Sequence, residues 1–243
     1  MKKIFSAITL ILLATLLVCS VFGCNNPQGE ENPPSPPPAE QDTTIFVANN
    51  GYIVGLTDYG KTLTEIEIPD KIDGKTITII GEDAFLNNDK VTKITLPNTV
   101  KVIEKGAFYK CTALTEINLP NSLESIGEQA FAYCEKIIYI ILPESIKTIE
   151  MCTFLHCSRL AIINLENVDY ISDSAFERCT SLLNVVFSES LEYIGANAFR
   201  ATGGLTSIKI PDSVIFIGAN AFADCTSLTS IEIPNSVTSI LSG

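Results

Sequence analysis

The chain has 243 residues and a formal net charge of −12, with 16 Lys and Arg against 28 Asp and Glu and a single His. An acidic balance with no basic stripe excludes a nucleic-acid binder, which needs clustered cations for the phosphates. A lone histidine, with acids scattered singly rather than in pairs or loop cages, leaves little for glycoside hydrolysis or calcium binding to use.

At the amino terminus, Met1-Lys2-Lys3 and the apolar stretch over residues 4–23 resemble a secretory signal. Val21-Phe22-Gly23-Cys24 resembles a bacterial lipobox, with Cys24 as the lipidated residue and Phe22 standing where a small or aliphatic residue is usual. The alternative is an uncleaved membrane anchor, because about 20 apolar residues just span a bilayer. Either way the chain is exported and tethered. Removal of residues 1–23 takes Lys2 and Lys3 and no acid, which moves the charge from −12 to −14. Residues 24–43 then hold the lipidated Cys and a Pro-rich linker with almost nothing to bury. At about 3.1 Å per residue such a stalk reaches up to about 60 Å from a membrane. In residues 44–60, TIFVANNGYIVGL carries β-rich runs on both sides of Asn49-Asn50-Gly51, which predicts a hairpin that caps the first turn of the repeats.

Residues 61–243 repeat a phrase of 23 residues, seen in LTEINLPNSLESIGEQAFAYCEK (114–136) and LTSIKIPDSVIFIGANAFADCTS (205–227). Its marker phenylalanines are Phe85, Phe108, Phe131, Phe154, Phe176, Phe199 and Phe222, with one step of 22 and the rest of 23. A period in the twenties with apolar residues at fixed offsets indicates a solenoid whose turns bury their apolar faces against one another. Ile five residues before the Phe, an aliphatic eight before and aliphatics six and nine after are the expected core. LTEINL reads as a strand ended by Pro, which has no amide donor. LESIG reads as a second strand, and EQAF as a helical turn.

The phrase LPxSVxxIGxxAFxxCxxL is similar to the BspA-like class of bacterial leucine-rich repeats, over roughly residues 61–240. The resemblance implies an α/β repeat solenoid: a right-handed leucine-rich-repeat superhelix, strand-rich, with a parallel sheet and short helical or 3-10 turns. It also implies a cell-surface adhesion or recognition protein, in a family with members associated with host matrix proteins such as fibronectin and fibrinogen. It brings no catalytic residues. The turn around Phe176 departs by losing one residue and its Pro, Ser188 replaces Pro in the next, and the first repeat carries five extra residues between Pro69 and Ile80. The last repeat stops at SVTSILSG, after both strands and before its AF segment. This is either a truncated form or a half-repeat that covers the Phe222 turn and leaves a short exposed edge.

Cys111, Cys134, Cys157, Cys179 and Cys225 each lie three residues after a marker Phe, so they read as buried thiols in one line rather than as disulfides or a zinc site. Cys152 stands off that line and is the candidate reactive thiol, against the plainer reading of a partly buried substitution. His156 occupies a variable loop position and reads as exposed. No catalytic residue, metal or cofactor is expected.

The outward strand positions carry the binding hypothesis. They are polar in the flanking repeats, as at Glu116 and Asn118 or Ser207 and Lys209. In the middle three they are Tyr139 and Ile141, Ile162 and Asn164, Asn184 and Val186, with Ile138 and Leu183 at the strand entrance. Such an apolar patch with a polar rim marks a contact site, either for a protein ligand or for a self-contact such as a homodimer. A second stripe, Tyr170, Tyr193 and Phe216, either binds sugars or proteins or is a packing ladder, and packing is favoured. The expected partners are thus a host matrix or other cell-surface protein, a glycan, or a second copy. The membrane is met through the lipid anchor only, at the bacterial cell surface.

Overall fold

The computed structural model describes residues 45–240. The signal, lipobox, Cys24 and linker readings lie outside these residues. Residues 41–243 form one compact unit that carries the whole described core, so this part holds together by its own contacts.

The architecture is a strand-rich parallel β-solenoid. It opens with an antiparallel hairpin, β1 (Phe46–Asn49) and β2 (Tyr52–Leu56), turned at Asn50 and Gly51, both with positive φ. The inner strand of the hairpin then templates the first turn: Tyr52 and Ile53 pair in parallel with Ile79 and Ile80. The extra residues of the first repeat form a two-residue hairpin loop at Asp73-Gly74, between β4 (Lys71–Ile72) and β5 (Lys75–Thr76), preceded in the chain by β3 (Glu65–Glu67). Asp-Gly at the loop supplies the positive φ that such tight hairpins need.

Each later turn contributes one very short strand to each of two parallel ladders, except that the turn of Phe199 joins the first by isolated bridges at Asn184 and Phe187. The first ladder uses LTxI positions such as Lys93–Thr95 and Glu116–Ile117, and the second uses the Ile preceding the Gly-like position, as in Val102–Ile103 and Ser125–Ile126. Between them the chain bends through a turn in which the amide of Val100, Leu123 or Ile146 donates to the carbonyl of Pro97, Pro120 or Pro143. The proline needs no amide there. In the shortened repeat Leu165 takes the same role for Val168, so the deletion falls on the one residue whose loss keeps every inward side chain in register.

The segments expected as helical turns are not helix; from Phe46 on, among the described residues, the helical element is the 3-10 turn Gly60–Thr62. The reason lies in two left-handed residues per turn, placed two before and two after each marker Phe. Gln129 and Tyr133 flank Phe131 with φ of 56° and 62°, and Cys152 and His156 flank Phe154 with φ of 57° and 60°. A left-handed residue stops helix propagation. It also turns alternate amides outward, so that Gln129, Phe131 and Tyr133 donate to Met151, Thr153 and Leu155 of the next turn, at 3.0, 2.9 and 2.7 Å. The intervening amides close local turns, as Ala132 does on Gln129 and Cys134 on Phe131. The third side of the coil is thereby a hydrogen-bonded ladder of its own.

The core runs the length of the solenoid. Phe85, Phe108, Phe131, Phe154, Phe176 and Phe199 are fully buried, and with Phe222 they stack at ring distances of 5.0 to 5.6 Å, one per turn. The aliphatic columns around them are buried up to Leu228 and Ile231, which are half-buried in the last turn. Close approach explains the Gly of the IG phrase: a Cβ on Gly218 would meet the backbone nitrogen of Ala196 at 2.3 Å.

Candidate functional site

Three kinds of side-chain clasp tie turn to turn, and two of them are missing where the site lies. At the strand entrance, Thr92 and Thr115 donate their hydroxyls to the carbonyls of Thr64 and Thr92, at 3.0 and 2.9 Å. At the strand exit, Asn118 grips Leu96 with both amide groups, accepting from its N–H at 2.8 Å and donating to its C=O at 3.0 Å. In the bend after it, Ser122 and Ser213 donate to the carbonyls of Val100 and Leu191 at 2.7 Å. The LPxSV serine is therefore a staple at Ser122, Ser145 and Ser213, a role the sequence reading did not reach.

In the turn of Phe154, Ile138 replaces the entrance Thr and Ile141 replaces the exit Asn. Neither side chain can make these clasps. Among the described residues no backbone hydrogen bond joins residues 115–119 to 138–142, nor 124–127 to 147–150, so both ladders part at this one junction. The Phe side stays continuous, and Ser145 still donates to the carbonyl of Leu123 in the bend. On the sheet face the parting leaves a cleft of about 240 Å³ lined by Glu116, Asn118, Asn121, Tyr139, Ile141 and Pro143. The next junction is paired again: Tyr139 lies beside Ile162, and Asn164 grips Leu142 as Asn118 grips Leu96.

The residues of the apolar patch share this face. Leu165 pairs with Phe187 and Asn184 with Ser207, which sets Tyr139, Ile162, Asn184 and Ser207 in one column and Ile141, Asn164 and Val186 in the next. Ile138, Tyr139, Ile141, Leu183 and Val186 are exposed, Val186 by 58%. Asn184 is exposed as well, while Ile162 and Asn164 are half-buried, and Asn164 spends its amide on the backbone clasp.

One element of the face escaped the sequence reading. In the bend after each strand, the residue next to the carbonyl acceptor is Glu144, Glu166, Glu189 and Asp212 in four successive turns, all exposed. The neighbouring bends on either side carry Asn98, Asn121 and Asn235 there. Among the described residues none of the four carboxylates is ion-paired or hydrogen-bonded, unlike Glu116 and Glu124, which pair with Lys93 and Lys101 at 2.9 Å. The one-residue deletion hides this row in the sequence, because the alignment of Glu166 depends on the bend that the structure reveals.

The aromatic stripe is a stack. Tyr170 lies on Tyr193 at 5.1 Å and Tyr193 on Phe216 at 4.6 Å, with planes within 11° and 4°. Rings packed face to face along the solenoid offer solvent mainly their edges, which suits packing rather than a sugar platform. Burial, then the neighbouring Asp173 and Tyr170, push the Tyr193 hydroxyl up from its ordinary pKa.

The five aligned cysteines are free and buried, and each Sγ donates to the carbonyl of the Phe one turn back, as Cys134 does to Phe108 at 3.1 Å. Burial pushes the Cys111 and Cys157 thiols up to about 12 and raises those of Cys134 and Cys179 well above the usual range. Cys152 is half-buried, and its thiol is also raised, by burial and then by Glu177, Glu128 and Asp173. Its surroundings withhold the positive charge that activates a thiolate. A thiol reagent at neutral pH is expected to label Cys152 slowly and the aligned five only on unfolding; full labelling of the native protein would contradict the buried ladder.

His156 corrects the expectation of exposure: it is half-buried and stacked on Tyr133 at 5.1 Å, because its left-handed backbone lays the ring along the coil. Its neighbour Cys157 is buried in the thiol ladder, so the two do not form a nucleophile and base. Among the described residues no group of His, Cys, Asp and Glu could hold a metal ion, and no helix is long and apolar enough to cross a membrane.

Comparison with known proteins agrees with this geometry. The model of the BspA-type leucine-rich repeat region matches in six copies, over residues 78–203 and 192–243. A leucine-rich cell surface protein of Faecalibacterium prausnitzii is 31% identical, with a TM-score of 0.67 over 81% of this chain and 54% of that one. This chain thus spans about half the length of that structure. The leucine-rich repeat protein of T. pallidum is 26% identical, with a TM-score of 0.56 over 85% of both chains. A leucine-rich repeat protein of Eubacterium ventriosum, 24% identical with a TM-score of 0.65 over 80% of this chain and 53% of that one, shares the fold. Among curated proteins none matches. With its ladders, its Phe stack and its repeat phrase all of one kind, the chain belongs to the BspA-type leucine-rich repeat proteins.

Proposed function

We propose that this protein is an exported, lipid-anchored surface protein, a right-handed leucine-rich-repeat solenoid held off the membrane by its Pro-rich linker, which recognises or adheres to a macromolecule through its central sheet face. The supporting observation is the exposed apolar patch of Ile138, Tyr139, Ile141, Leu183 and Val186, set where the sheet parts and a cleft opens. Apolar side chains gathered on one rimmed face are what a protein contact uses. The surface location draws on the resemblance to a cell surface protein and on the signal and lipobox with Cys24 as the acylated residue. A host matrix protein or another cell-surface protein is the expected ligand, and a glycan is the lesser alternative.

The test is capture of residues 41–243 by an array of host matrix proteins and glycans, beside a variant with Tyr139→Ser, Ile141→Ser, Ile162→Ser and Val186→Ser. Capture of a ligand that the variant loses, at unchanged mass in solution, is expected. The second reading, a self-associating surface module, holds instead if nothing is captured and the native protein is a dimer that the variant dissolves.

A further inference from the structure

We infer that the partner of this face is a protein segment whose apolar side chains are flanked, along one side, by Lys and Arg. The inference rests on the sheet-face reading above and adds the chemistry of the ligand. Glu144, Glu166, Glu189 and Asp212 stand in successive turns along the exit edge of the strands, beside the columns of Ile141 and Val186. At about 4.8 Å per turn they form a negative rail roughly 15 Å long.

Elsewhere the solenoid neutralises such positions across turns: Lys93 pairs with Glu116, Lys101 with Glu124 and Lys105 with Glu128, at 2.9 to 3.1 Å. Along this rail no cation does so among the described residues. Lys136 and Arg159 of the same turns are exposed at the opposite, entrance edge, while at the rail side Lys147 donates to the carbonyl of Asn167 beside Glu166 and Lys209 is exposed on the strand before Asp212, neither reaching a rail carboxylate. The apolar patch is therefore edged on its exit side by four carboxylates that no cation of the described residues pairs with. A partner seated on it meets carboxylates on one side, and complementary charge sets its orientation and speeds its association. The cleft between the strands of Glu116 and Tyr139 takes an apolar anchor of that segment, because Tyr139, Ile141 and Pro143 form one of its walls.

The experiment uses residues 41–243 and two synthetic amphipathic peptides with the same leucine face, one flanked by lysines and the other by glutamates. The lysine peptide is expected to bind at least about tenfold tighter at low salt, with the difference shrinking as salt rises. Changing Glu144→Gln, Glu166→Gln, Glu189→Gln and Asp212→Asn should remove the difference. Changing all four to Lys should reverse it, which also shows that the altered rail remains folded. The four-serine patch variant should lose both peptides. Equal binding of the two peptides, or a preference that the rail variants leave unchanged, overturns the inference; if the patch variant still loses both, the sheet-face reading survives. Binding of neither peptide, or a native dimer that the patch variant dissolves, overturns both.

Discussion

Phe154→Ala is expected to lower the stability of residues 41–243 by about 3–5 kcal/mol and to split urea unfolding into two steps. Phe154 is fully buried between Phe131, at 5.6 Å, and Phe176, at 5.4 Å. At every junction the Phe stack is one of three connections, but between Phe131 and Phe154 both strand ladders are parted. What remains there includes the Phe ring contact, the stack of Tyr133 on His156, the amide ladder through Met151, Thr153 and Leu155, and the side-chain bonds of Ser145, Thr153 and Cys157 to Leu123, Gly127 and Phe131. A solenoid is stable through the coupling of neighbouring turns. Removing the ring at the weakest coupling lets the two halves unfold apart, whereas Phe108→Ala, inside continuously paired turns, should keep a single transition. One sharp transition for Phe154→Ala, with a loss under about 1 kcal/mol, would show that the parted ladders do not weaken the junction.

Alkaline pH is expected to unfold this protein through its thiol ladder. Buried Cys111 and Cys157 keep their protons up to about 12, against an ordinary value of 9.0. Between those values the unfolded chain binds fewer protons than the folded one, so stability falls as pH rises. The stabilising difference is fully present below about pH 9 and is lost progressively on the way to about 12. At about 1.4 kcal/mol per unit and per thiol, these two groups together remove about 4 kcal/mol by roughly pH 10.5. Cys134 and Cys179, raised by burial as well, act in the same direction. Thermal midpoints at pH 8 and pH 10.5 check this, with the double variant Cys111→Ala and Cys157→Ala alongside. The native protein should lose distinctly more of its midpoint than the variant; equal losses would mean that other groups govern alkaline unfolding.

Much of the fold was legible because a solenoid turns sequence period into spatial stacking. The residues five before and nine after each Phe are inward in one turn and therefore inward in all, so a single phrase locates the core from Ile80 to Ile217. The Cys line was legible for the same reason. The turn conformation was not. EQAF has helical propensity, yet Gln129 and Tyr133 are left-handed and spend their own amides on the next turn, which no local propensity specifies. Of the candidate site, the composition of the central patch could be read directly from the outward positions. The parting of the sheet beside Ile138 and Ile141 could not, since which turns pair is decided between stacked backbones and not within any one repeat.

The amino-acid sequence by itself determined the repeat, its core columns and the family, since each depends on side-chain spacing along the chain. The tertiary structure decided which exposed residues share a neighbourhood. It aligned Glu166 with Glu144, Glu189 and Asp212 across a one-residue deletion, and it opened the sheet beside Tyr139. Both depend on hydrogen bonds between turns some 22 or 23 residues apart, whose pattern is set by stacked backbones and not by any single segment.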